Sequence, residues 1–189
     1  MDRRRNMLIG IVVGVVVVAA SIYATGFTRR LLSPFRGNVV EYKSSESGAA
    51  PELAAGDWIN SEPLKLKALR GRVVLVEFWT FGCYNCRNTL PYVKGWDARY
   101  RAKGFTVIGV HSPEFDEERR IEHLRREVAS LGITYPVVTD NDYQTWKAYD
   151  VEAWPTTFLL DKQGRIRWRH VGEGGYAEAE RLIQKLLAE

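Results

Sequence analysis

The chain has 189 residues, 46 % of them hydrophobic and 26 % charged, which excludes both a disordered chain and a polytopic membrane protein. Its two cysteines exclude a disulfide-dense scaffold and a four-cysteine zinc site. The net charge is +4, and without Asp2 and Arg3 to Arg5 the balance is 24 basic against 22 acidic residues, which is no footprint for nucleic acid.

Leu8 to Gly26 carries no charge. About 19 such residues suffice to cross a hydrocarbon core of roughly 30 Å as a helix. Arg3, Arg4 and Arg5 precede the run, and a short basic N-terminus favours N-inside, with the remainder on the extracytoplasmic side. Small residues at Val18-Ala19-Ala20 and Ile22-Tyr23-Ala24 leave a cleaved signal segment as the alternative. The length of the apolar run favours a retained anchor. Residues 1–26 are therefore expected to be an N-terminal transmembrane helix. Residues 27–55, polar and without pattern, are expected to be a flexible tether, and residues 56–189 the folded domain.

Within the domain, Leu64-Lys-Leu66 alternates like a short strand. Arg72 to Thr80 is an apolar run of strand length, as expected of a strand buried on both faces. Cys86 to Lys103 reads as a helix with Pro91 inside it, and a kink is expected there. Phe105 to Val110 is a second buried strand. Asp116 to Leu131 places Ile121, Leu124, Val128 and Leu131 on one helical face and a solvated Arg/Glu face opposite. A short strand at Pro136–Thr139 and a short helix at Asp142–Tyr149 follow. Strands Thr156–Leu160 and Arg165–Val171 flank the turn signal Asp161-Lys-Gln-Gly164. Tyr176 to Leu187 is an amphipathic closing helix. This order of elements predicts an α/β domain with a mixed central sheet flanked by helices.

Both cysteines lie in Cys83-Tyr84-Asn85-Cys86, between a buried strand and a helix. A helix N-terminus offers free N–H groups and partial positive charge, which stabilise a thiolate. Cys83 is accordingly the expected nucleophile, and Cys86 the thiol that resolves its mixed disulfide. His111, His123 and His170 show no finger-like spacing with the pair, so no metal is expected. Glu77 lies six residues before Cys83 inside the apolar strand. If buried, its pKa would rise and suit proton exchange with Cys86; strand alternation toward solvent or an Arg partner is the other reading. Pro155, after Trp154, opens a buried strand and is a candidate cis proline.

Val76-Glu-Phe-Trp-Thr-Phe-Gly-Cys-Tyr-Asn-Cys86 with Pro91 and Pro155 resembles the thioredoxin superfamily. The Leu64…Gly71 lead-in and Thr156-Thr-Phe-Leu-Leu-Asp-Lys-Gln-Gly164 look like its TlpA/ResA branch. Gly109-Val-His-Ser-Pro-Glu-Phe115, Gly132-Ile-Thr-Tyr-Pro136, Ala153-Trp-Pro155 and Gly172-Glu-Gly174 resemble the thioredoxin-like part of DipZ proteins. Two positions depart from the thioredoxin pattern. Gly82 stands where Trp is usual, and Tyr84-Asn85 where Gly-Pro is usual, so no reduction potential transfers.

The resemblance implies a thioredoxin-like fold and a membrane-anchored extracytoplasmic thiol–disulfide oxidoreductase. It implies protein disulfides or thiols as substrates, the Cys83–Cys86 redox-active disulfide in place of a cofactor, and Glu77 as proton acceptor. Trp154, Pro155, Tyr84 and Asn85 would bind substrate. A separate CcdA-type or DipZ-type membrane protein would supply electrons. Two rivals stand beside this expectation. One is a redoxin-type peroxidase, for which Arg87 and Thr89 are the nearest candidates for the Arg and Thr around a peroxidatic cysteine. The other is a non-catalytic docking module that uses Tyr84 and Trp154.

Overall fold

The computed structural model describes residues 39–41 and 48–189. The candidate membrane span lies outside the described residues; within them, no helix is long and apolar enough to cross a membrane. Among the described residues the strands are β1 (Val39–Glu41), β2 (Trp58–Ile59), β3 (Val73–Trp79), β4 (Phe105–His111), β5 (Val137–Thr139), β6 (Thr156–Leu160) and β7 (Ile166–Val171). The helices are α1 (Tyr84–Tyr100), α2 (Ile121–Ser130), α3 (Gln144–Ala148) and α4 (Tyr176–Ala188). The strands form one sheet in the order β1-β7-β6-β3-β4-β5-β2. β3, β4 and β5 run parallel, while β6 and β7 return antiparallel as a hairpin on the other side of β3. This is the expected α/β domain with a mixed sheet.

The central position of β3 follows from its composition. All seven of its residues are buried, because helices or loops cover the sheet on both sides. Val73, Leu75 and Trp79 join one core with Leu90, Val93 and Trp96 of α1 and Leu182, Ile183 and Leu186 of α4. Val74, Val76 and Phe78 join a second core with Tyr149, Val151 and Phe158. The β6–β7 turn is held by the Asp161 carboxylate. It accepts hydrogen bonds from the backbone N–H groups of Gln163 and Arg165 and pairs with the Arg165 guanidinium.

Several elements differ from expectation. Leu64–Leu66 is not a strand; a 3-10 turn spans Leu66–Leu69. Its first free N–H groups, of Leu66 and Lys67, donate to the Glu52 carboxylate at 2.8 Å each. The helix expected from Asp116 is divided into a 3-10 turn, Asp116–Arg119, and α2, with extended backbone at Arg120 between them. Pro91 lies inside α1, which is continuous from Tyr84 to Tyr100. The stretch read as a tether, 27–55, ends inside the domain. Ala49 bridges Arg165, Ala50 and Leu53 pack against the second core, and β1 pairs with β7 as the outermost strand. Leu53 buries apolar surface there, and β1 covers the edge that β7 would otherwise leave open.

Candidate active site

The site lies where β3 ends and α1 begins. Cys83 is the N-cap of α1, in extended backbone conformation, and its Sγ accepts a hydrogen bond from the Cys86 N–H at 3.3 Å. Ser, Thr, Asp and Asn commonly occupy this position, because an oxygen there satisfies a free N–H of the first turn. A sulfur in the same place gains the same support when it is ionised. Both cysteines are free thiols, Cys83 partly exposed and Cys86 fully buried.

Their environments drive the two thiols apart. A hydrogen bond from the Cys86 thiol lowers the Cys83 pKa to about 7; burial opposes this, and the N–H groups of Cys86 and Asn85 assist it. Burial, and the donation of its own proton to Cys83, push the Cys86 thiol far above the ordinary range. At neutral pH, Cys83 is a substantial thiolate and Cys86 holds its proton. The start of α1 adds its N–H groups to the support of Cys83, whereas burial dominates at Cys86.

Glu77 is completely buried, in register with Gly109 of β4 and Thr157 of β6. It lies on the face of β3 that α1 covers, because residues 75, 77 and 79 alternate to that side. Burial raises its pKa to about 8, against a hydrogen bond from Tyr135 and with a further rise from the charge of Cys83. The Tyr135 hydroxyl donates to Glu77 Oε2 at 3.4 Å, while Oε1 has no protein partner. Tyr135 reaches this point because Gly109 has no side chain. A Cβ there would come within 2.7 Å of Trp79 Nε1 and 3.2 Å of Tyr135 Cε2.

The Trp154–Pro155 peptide is cis. The Trp154 indole N–H donates to Ser112 O at 3.0 Å, and its ring packs against Trp146 at 4.5 Å. Trp154 is thus partly engaged inside the domain, whereas Tyr84 is 76 % exposed and Asn85 is also exposed. His111, at the end of β4, is fully buried, contacts Thr80 Oγ1 at 3.3 Å and stacks on Phe81. Burial lowers its pKa to about 4. Arg87 and Thr89 are committed elsewhere. Arg87 Nε donates to Phe81 O and its guanidinium pairs with Glu127, while the Thr89 hydroxyl donates to Asn85 O. Among the described residues no three His, Cys, Asp or Glu side chains group as a metal site.

Two residues at this site escaped the sequence reading. Tyr135 stands in the Gly132–Pro136 stretch that carries the DipZ resemblance, with nothing local to mark its hydroxyl as a partner of Glu77. Glu118 sits in Asp116-Glu-Glu-Arg119, a run that reads as solvated, yet it is buried.

Residues 47–169 match the AhpC/TSA family. The protein DipZ of Mycobacterium tuberculosis is 42 % identical over 144 residues, 74 % of this chain and 21 % of that protein. The chain therefore spans about a fifth of the length of the DipZ proteins it matches. The thiol-disulfide oxidoreductase ResA of Bacillus subtilis is 31 % identical over 122 residues, 65 % of each chain. The crystal structure of a thiol-disulfide isomerase from Corynebacterium glutamicum superimposes with a TM-score of 0.66 at 31 % identity, covering 74 % of this chain and 97 % of that one.

Proposed function

The chain belongs to the AhpC/TSA family, and from that premise we propose that it is a membrane-anchored, extracytoplasmic thiol–disulfide oxidoreductase that reduces protein disulfides. The observation that carries the reading is the opposed pair of thiols at the start of α1, one partly exposed and supported as a thiolate, the other buried and holding its proton. The kinship with thiol-disulfide oxidoreductases supports it. The uncharged run Leu8–Gly26 after three arginines supports the anchor and the outward orientation.

In the proposed reaction the Cys83 thiolate attacks one sulfur of a substrate disulfide, and the other sulfur leaves as thiolate. Cys86 then loses its proton and attacks Cys83 Sγ. The Cys83–Cys86 disulfide forms, the second substrate sulfur leaves, and two electrons have passed from the dithiol to the substrate. Glu77 is the proposed acceptor of the Cys86 proton. Its pKa is raised partly by the charge on Cys83, and the mixed disulfide removes that charge. Glu77 therefore becomes a carboxylate more readily at the step that needs a base. Pro155 and Trp154, with Tyr84 and Asn85, form the substrate-facing surround. A CcdA-type or DipZ-type membrane protein is the proposed electron donor, and a shared membrane would raise the effective concentration of the two.

The test is reduction of insulin disulfides by the full chain with dithiothreitol as electron source. The wild type is expected to turn over, Cys83→Ser to lose activity by about 10³-fold or more, and Cys86→Ser to accumulate a Cys83–insulin mixed disulfide. Hydrogen peroxide consumption without insulin reduction would instead establish the peroxidase reading, which the commitments of Arg87 and Thr89 disfavour.

A further inference from the structure

Glu118 is 3 % exposed, and its charge acts on the buried His111. Its carboxylate is satisfied by three backbone N–H groups. Oε1 accepts from Gly82 at 3.0 Å, and Oε2 accepts from Glu114 at 2.6 Å and from Phe115 at 3.2 Å. Such charge-assisted bonds are strong where water is excluded. One side chain thus ties the residue before the nucleophile to a loop that is distant in sequence.

Gly82 is adapted to this contact. Its φ is not in the left-handed region, so no turn requires a glycine. A Cβ at that position would lie 2.3 Å from Glu118 Oε1. A side chain there would have to displace the Glu118 carboxylate oxygen.

The loop that Glu118 holds faces the nucleophile. Glu114 is close enough for its charge to raise the Cys83 pKa, and Phe115 Cδ2 lies 3.9 Å from the point a Gly82 Cβ would occupy. Phe115 is 60 % exposed, so its ring is not core. The same loop is fixed from its other side, since the Trp154 indole donates to Ser112 O and the Tyr143 hydroxyl donates to Pro113 O. Residues 112–115 are thereby joined both to the cis-proline loop and to the entry of α1.

We propose that Glu118 is a positioning residue that holds Phe115 beside Cys83 as a specificity-determining contact for apolar protein segments flanking a substrate disulfide. The proposal rests on the oxidoreductase reading. The carboxylate touches neither reacting sulfur; it acts through Gly82 and the 114–115 backbone.

The experiment compares two electron acceptors for the full chain, insulin and hydroxyethyl disulfide, the second too small to reach Phe115 while it reacts at Cys83. Phe115→Ala leaves the core intact and is expected to raise KM for insulin about tenfold, with kcat and the rate on hydroxyethyl disulfide changed less than about twofold. Glu118→Ala is expected to give the same pattern, and the double variant to be no worse than Glu118→Ala alone. If Phe115→Ala leaves the insulin KM within about twofold of wild type, the proposal is overturned whatever Glu118→Ala does. It is equally overturned if Glu118→Ala slows both disulfides alike. A wild-type chain that reduces hydroxyethyl disulfide and insulin while Phe115→Ala behaves identically sinks this inference alone; one that reduces neither sinks the oxidoreductase reading as well.

Discussion

On one face of β3 lie Val74, Val76 and Phe78; on the other lie Leu75, Glu77 and Trp79. The first face meets only packing partners. The Phe78 ring contacts those of Tyr149, Phe158 and Trp146 at 5.2, 5.9 and 6.1 Å. The second face is equally dry but retains unsatisfied polar atoms. Glu77 Oε1, Trp79 Nε1 and, on neighbouring β4, His111 Nδ1 have no protein hydrogen-bond partner. Buried polar atoms without partners cost stability, and they are tolerated mainly where chemistry needs them. Here they lie on the side of the sheet that α1 covers and thus share a core with Cys86. One strand therefore serves two ends: its Phe78 face holds the fold, while its Glu77 face gives up stability to the site.

The two faces are separable by substitution. Phe78→Ala removes a fully buried ring and is expected to cost about 3–5 kcal/mol in denaturant unfolding. At temperatures where the variant remains folded, the Cys83 pKa should match wild type, since the ring lies across the sheet from the thiols. A changed Cys83 titration would mean the faces are coupled.

Glu77→Gln should do the reverse. It is expected to slow resolution of the mixed disulfide by about 10²-fold, read by single-turnover kinetics, with little loss of stability. Stability should also differ in its pH dependence. The Glu77 pKa is raised from 4.5 unfolded to about 8 folded, so between these values the folded state binds the additional proton. Wild type therefore loses stability relative to Glu77→Gln as pH rises from about 4.5, by at most about 1.4 kcal/mol per pH unit, and the difference levels off above pH 8. A flat difference across that window would remove the buried, protonated Glu77 from the account.

Much of this was legible in the sequence, for physical reasons. A strand buried on both faces needs continuous apolar residues, and Val73–Trp79 has them apart from Glu77. The C-x-x-C pair between a strand and a helix has few other uses. What escaped notice depended on partners far away in the chain. β2 is two residues long and exists because β5 offers an edge. Leu64-Lys-Leu66 alternates, yet the Glu52 carboxylate stabilises a 3-10 turn there instead. Glu118 shares its composition with the solvated residues beside it, and only the three N–H groups that converge on it mark it as buried. Tyr135 offers no local sign that Gly109 has made room for its hydroxyl next to Glu77.

One thiol is activated and partly exposed while its neighbour is protonated and shielded. Timed alkylation of the reduced chain by iodoacetamide across pH, with each cysteine followed by mass spectrometry, tests it most directly. The account predicts modification at Cys83 with a midpoint near pH 7 and none at Cys86 while the protein is folded. Faster modification of Cys86, or a Cys83 midpoint at the ordinary value near 9, would contradict it.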